Sequence, residues 1–238
     1  MGLMMEQGGA FDEYEAIALP AAPHLDAGSL GSAVFLRRSA RPSRRAVLHL
    51  HDLAGSFAPA DLASWYNERG FHFYVTDLDI SEPFDAASRR RPGRTARACF
   101  ATLDAACRHL RETDGIDAII LSAQEQAAAP AAAWCHARRS ANPVDALILA
   151  NPEFGRGPGR ALDIACPVLV IAAAGRPGGP TGRRRRMAGA IRLGQHVTWL
   201  NVESRPGAGP GADRRRLFDE MGRWLGAYMY GKVRDQLL

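Results

Sequence analysis

Two short stretches of this chain carry groups that could do chemistry. His51, Asp52, Leu53 and Ser56 follow one apolar run, and Ser122, Gln124, Glu125 and Gln126 close another. A hydroxyl with an imidazole beside it can attack a carbonyl, and a carboxylate can hold or move a proton. The carboxamide of Gln124 can exchange hydrogen bonds, but it is no nucleophile. His49 and His51 fall on one side of their run by the period of two, a setting where a satisfied structural histidine is commoner than a working one. Glu125 is readable as a lone acid or base, but a carboxylate placed to complement a helix N-terminus is the commoner reading.

Other candidates lead nowhere specific. Cys135-His136 and Cys107 with His109 lie at i,i+1 and i,i+2 on helical segments, so their side chains diverge. The four cysteines, Cys99, Cys107, Cys135 and Cys166, have neither CxxC nor zinc-finger spacing and read as buried free thiols, with no metal implied. The glycine-rich stretches Gly175 to Gly179 and Gly207 to Gly211 lack a strand-GxGxxG-helix frame, so no nucleotide or other cofactor is expected. Arg183 to Arg186 fan around a helix axis and read as a solvated helix start.

The elements that must position these residues follow from periodicity. Tyr14 to Leu19 and Ala33 to Leu36 read as an opening hairpin at a sheet edge. Ala46 to His51, Phe71 to Leu78, Ala118 to Leu121, Ala146 to Ala150, Pro167 to Ala173 and Val197 to Val202 read as buried strands. Helices are predicted over Asp61 to Arg69, Thr95 to Glu112, Glu125 to Arg139, Arg183 to Leu193 and Arg214 to Tyr230. The alternation predicts an α/β fold: about eight strands, mostly parallel, with helices on both faces. Residues 1–13 read as a flexible lead and 14–238 as one domain, a length that a single core can serve.

Bulk composition narrows the function classes. Hydrophobic content is 47% and charged content 23%, and no apolar run reaches the ~18 residues of a membrane span. The start lacks a signal-peptide or myristoylation pattern, so the expected location is the cytoplasm. The net charge is +5, carried by arginine, with Lys232 the only lysine. Because most arginines alternate with acids on helices or occupy loops, the charge argues against nucleic acid as the partner.

Order and spacing then resemble the α/β-hydrolase superfamily, in its serine aminopeptidase and monoacylglycerol lipase-like branch. His51-Asp52-Leu53 is similar to the branch's His-Gly turn, which supplies an oxyanion-hole amide, with Asp52 at the glycine. The stretch from Trp65 through Asp77-Leu78 resembles its helix, strand and Asp-Leu-Arg turn, with Asp79 at the arginine. Ile119 to Gln126 resembles its strand and Gly-His-Ser-x-Gly nucleophile elbow. Val144 to Leu149 with Pro152, Cys166 to Val170, and Leu193 to Thr198 resemble the following strands. The similarity spans roughly Tyr14 to Tyr228.

Set against that family, the site looks dismantled. Ser122 stands at the first elbow glycine, Gln124 at the serine and Gln126 at the second glycine. Ala174 to Pro180 holds no Asp or Glu where the orienting acid belongs, and the last histidine, His196, precedes the strand that the family's base follows. Only Glu153 to Cys166 stand where the family carries a lid. Loss of a triad nucleophile costs about a millionfold in turnover. The resemblance therefore implies a lidless, degenerate member that acts by binding a protein partner or small ligand at an open site edge. The alternative is a hydrolase or cofactor-free enzyme using Glu125, His51 or Ser56.

Overall fold

A computed structural model describes residues 15–19, 34–38, 41–51, 59–77, 94–152, 162–173, 197–202 and 210–230. The predicted N-terminal lead, the Arg183 to Leu193 helix, and Asp52, Leu53 and Ser56 lie outside them.

β3 (Arg45–His51) organises the molecule because its alternation feeds two cores at once. Ala46, Leu48 and Leu50 enter one apolar cluster and Val47 enters the other. Such double burial requires helices on both faces. α1 (Pro59–Glu68) and α4 (Pro210–Leu225) cover the Val47 side, contributing Leu62, Trp65, Tyr66, Met221 and Trp224. α2 (Arg94–Arg108), which runs on through a π-helical turn over His109–Thr113, and α3 (Ala128–Ala137) cover the other.

Eight strands form one sheet: β1 (Glu15–Ala18), β2 (Val34–Arg38), β3, β4 (His72–Asp77), β5 (Ala118–Gln124), β6 (Ala146–Ala150), β7 (Val168–Ala173) and β8 (Val197–Val202). Their order is β1-β2-β4-β3-β5-β6-β7-β8. The six from β4 to β8 in that order are mutually parallel, and β1 and β2 form the expected antiparallel edge hairpin. Gly70, at φ +73, ends α1 in the left-handed conformation that glycine tolerates, and Phe71 leads straight into β4. Trp224 of α4 donates to Thr198 Oγ1 of β8 at 3.0 Å, anchoring the last helix to the far edge.

Several element ends differ from expectation: α3 covers Ala128–Ala137 rather than Glu125 to Arg139, and α4 begins at Pro210 rather than Arg214. β5 runs to Gln124 rather than ending at Leu121. Ser122, Ala123 and Gln124 do not read as strand by themselves, but each has a partner on β6, at Ile148, Leu149 and Ala150. Pairing on both sides overrides local propensity. The four cysteines are free and buried, as expected, and burial pushes the Cys99 and Cys107 thiols up to about 12.

Candidate functional site

In an open parallel sheet, ligands gather at the carboxyl ends of the strands where the strand order reverses direction. Here that reversal falls between β3 and β5, which places His51 and the Gln124-Glu125 turn at its rim. The candidate residues therefore converge by topology.

The turn after β5 has its apex one residue later than the resemblance implied. Gln124 is still extended, at φ −129 and ψ 154, whereas Glu125 takes φ +49 and starts the helical turn that continues into α3. A left-handed non-glycine residue on a strand-to-helix turn is the conformation that thrusts a side chain out at the sheet edge. The resemblance set Ser122, Gln124 and Gln126 at the glycine, serine and glycine positions; the left-handed bend itself falls at Glu125. Glu125 is the apex, and the residues two before and two after it are Ala123 and Ala127, 1% and 0% exposed. Close packing at those two positions demands small side chains, and alanine is the smallest after glycine.

The same bend recurs next door. Asn151 directly follows β6 and takes φ +46, while its N–H donates to Ile171 O at 2.7 Å. Because Gln124 pairs with Ala150, Glu125 and Asn151 are consecutive steps past one rung of the sheet. Gln124, Glu125 and Asn151 are half-buried and Gln126 is exposed. The rim thus carries a carboxylate and two carboxamides. Sequence reasoning missed Asn151. The available signal was an asparagine between an apolar strand and Pro152, since asparagine tolerates the left-handed region better than most residues.

Ser122 belongs to a different environment. Its Oγ lies 3.2 Å from His49 Nδ1, a separation compatible with a serine-histidine pair. Yet Ser122 is 5% exposed and His49 1% exposed, and Phe73 stacks on the imidazole at 5.6 Å. Burial holds the nearby Tyr66 phenol well above its ordinary range, with the Ser122 hydroxyl pulling weakly the other way. This group is a sealed polar knot between the sheet and α1, closed to substrate. His51 ends β3 opposite Asp77 on β4.

Neither cysteine-histidine pair forms a dyad. His136 Nδ1 contacts the Asp163 backbone, and His109 faces Asp114 at 3.5 Å. Among the described residues, no three His, Cys, Asp or Glu side chains stand close enough to hold a metal ion. No helix among them is long and apolar enough to cross a membrane.

The fold is that of the α/β-hydrolases. Solved structures that resemble it include an α/β serine hydrolase homologue from Coxiella burnetii, with TM-score 0.60, 15% identity, and coverage of 90% of this chain and 97% of that one. Est1E from Butyrivibrio proteoclasticus superposes with TM-score 0.60 at 9% identity, covering 90% and 99% of the two chains. The Francisella virulence factor BioJ gives TM-score 0.61 at 11% identity, covering 90% and 84%. No protein-family model matches the sequence, and no curated protein does.

The placement of the apex is testable by stability alone. A left-handed non-glycine residue costs roughly 1–2 kcal/mol, and glycine escapes most of that cost. Glu125→Gly is therefore expected to raise unfolding stability by about 1 kcal/mol in urea titration. Gln124→Gly, at an extended strand position, is expected to lower it by roughly 0.5–1 kcal/mol. The reverse pair of signs would place the apex back at Gln124.

Proposed function

We propose that this chain is a degenerate member of the serine aminopeptidase and monoacylglycerol lipase-like branch that works in the cytoplasm by binding rather than by acyl transfer. The observation that carries this reading is Glu125. A carboxylate occupies the apex of the strand-to-helix turn, where acyl transfer by this fold needs an activated hydroxyl. Among the described residues, the serine-histidine contact nearby, Ser122 with His49, is sealed in the core. The sequence after β7 and after β8 offers neither the acid nor the base of a triad. A rim of Gln124, Glu125 and Asn151 suits hydrogen-bonded capture of a partner or small ligand.

The test is hydrolysis itself. Purified protein is expected to show no turnover of p-nitrophenyl acetate or butyrate above a heat-denatured control, and no labelling by a fluorophosphonate probe. Labelling that disappears in Ser56→Ala or Ser122→Ala would overturn the proposal.

One observation favours a second reading, in which Glu125 acts as a general base in a cofactor-free reaction. The strained φ at Glu125 is retained on a residue for which it is costly, and such strain gathers at functional sites. Under that reading, turnover found in a screen of small carbonyl compounds disappears in Glu125→Gln, which keeps the size and removes the base.

A further inference from the structure

At the opposite end of the sheet, where the strands begin, the ends of α2 and α3 border an open cavity of about 460 Å³ lined by Asp104, Arg108, Arg111, Glu112, Trp134 and Arg138, among others. Its volume falls in the range of small-ligand sites, ~300–1,000 Å³. The cavity is separate from the Glu125 rim, and its chemistry is independent of the function proposed for that rim.

The three arginines are held differently. Arg111 spends its guanidinium on the Ile116, Asp117 and Pro143 carbonyls and on Asp145, so it acts as a wall. Arg138 is gripped as a fork by Asp104, with Nε to Oδ1 at 3.0 Å and Nη2 to Oδ2 at 2.6 Å, and Asp104 is itself fixed by Trp134 Nε1 at 2.9 Å. The fork uses two N–H groups of the five on a guanidinium, which leaves the outer ones oriented and unspent. Arg108 makes no hydrogen bond or ion pair among the described residues, and Glu112 at i+4 stands in the weaker order, with the acid after the base. Two positive groups thus share one cavity, one pre-oriented and one uncommitted; Asp145 is taken up by Arg111, and Asp104, which also lines the cavity, is committed to Arg138 and Trp134. The turn Ala141-Asn142-Pro143 adds an amide and an apolar edge beside them.

We infer that this cavity binds the phosphate group of a small phosphate monoester, with Arg108 and the outer N–H groups of Arg138 on the oxygens and the organic part against Ala141 and Pro143. Guanidinium geometry matches phosphate oxygens, and a phosphate relieves the repulsion between the two cations. Glu112, at the rim, opposes the ligand.

Isothermal titration of the whole protein with phenyl phosphate and with inorganic phosphate tests this. Phenyl phosphate is expected to bind saturably and more tightly than inorganic phosphate, and to weaken several-fold between 50 and 300 mM salt, roughly as Debye screening dictates. Arg108→Glu is expected to weaken it about tenfold or more, and Glu112→Gln to tighten it. Arg138→Lys keeps the charge beside Asp104 but loses the fork, and is expected to weaken binding while leaving the thermal unfolding midpoint within a few degrees of the parent. No saturable binding of phenyl phosphate, equal binding of inorganic phosphate, or unchanged affinity in both Arg108→Glu and Arg138→Lys would overturn the inference.

Discussion

Trp134→Ala is expected to destabilise the protein by about 3–5 kcal/mol, the range for removing a buried aromatic side chain. For a chain of this size that is a fall in Tm of roughly 6–20 °C, measurable by calorimetry or circular dichroism. The reason is the position of α3. Seven of its residues are buried, on every side of the helix rather than along one stripe, and Trp134 is 0% exposed. Its indole also donates to Asp104 on α2, so truncation opens a void and strips one donor from a carboxylate that orients Arg138. Trp134→Phe keeps most of the volume and isolates the hydrogen bond, with an expected loss of about 1–2 kcal/mol. Equal losses in the two variants would mean that the indole N–H, and not the packing, is what matters.

Arg111→Ala is expected to cost about 2–4 kcal/mol in urea unfolding, because several half-buried acceptors lose a charged donor together. The guanidinium joins the exit of α2 to the approach to β5, at the Ile116 and Asp117 carbonyls, and to the approach to β6, at the Pro143 carbonyl and Asp145. Asp145 also accepts from Ile119 N at 2.9 Å, so it cannot turn away to water without breaking into the start of β5. Arg111→Lys restores the charge but not the fork, and is expected to recover less than half of the loss. A double substitution with Asp145→Asn that is no worse than Arg111→Ala alone would show that the two residues act as one unit.

The sheet was legible in the sequence because the strands of a buried parallel sheet are short apolar runs, and Val47-Leu48 or Leu147-Ile148-Leu149 cannot easily be anything else. The apex of the turn after β5 was not. In the resembled family two glycines mark the register; here neither Ser122 and Gln126, which flank Gln124, nor Ala123 and Ala127, which flank Glu125, are glycine, so the sequence offers no mark to choose between them. The end of β5 is fixed by the rung between Gln124 and Ala150, a partnership across more than twenty residues that no local pattern reveals. The sealed contact between His49 and Ser122 was half legible. Strand alternation put His49 on a definite face, but only the register of β3 against β5 brings Ser122 beside it. The arginine cavity was invisible for a related reason: Arg108 and Arg138 lie on separate helices, and each looks like an ordinary surface charge in its own segment.

The central place of β3 has a consequence for how the chain reaches this state. One neighbour, β4, comes after a single helix, but the other, β5, lies 73 residues away at the His49–Ser122 contact. Closing so long a loop has to precede the pairing it makes possible, which slows folding in proteins dominated by distant contacts. On a ribosome delivering about 5–20 residues per second, the apolar edge of β3 therefore waits several seconds before its second partner has been made. During that interval the run from Ala46 to Leu50 keeps one edge unpaired and open to mispairing with another nascent copy. Closure of β3 against β5 is thus the step at which this chain faces a competing pairing.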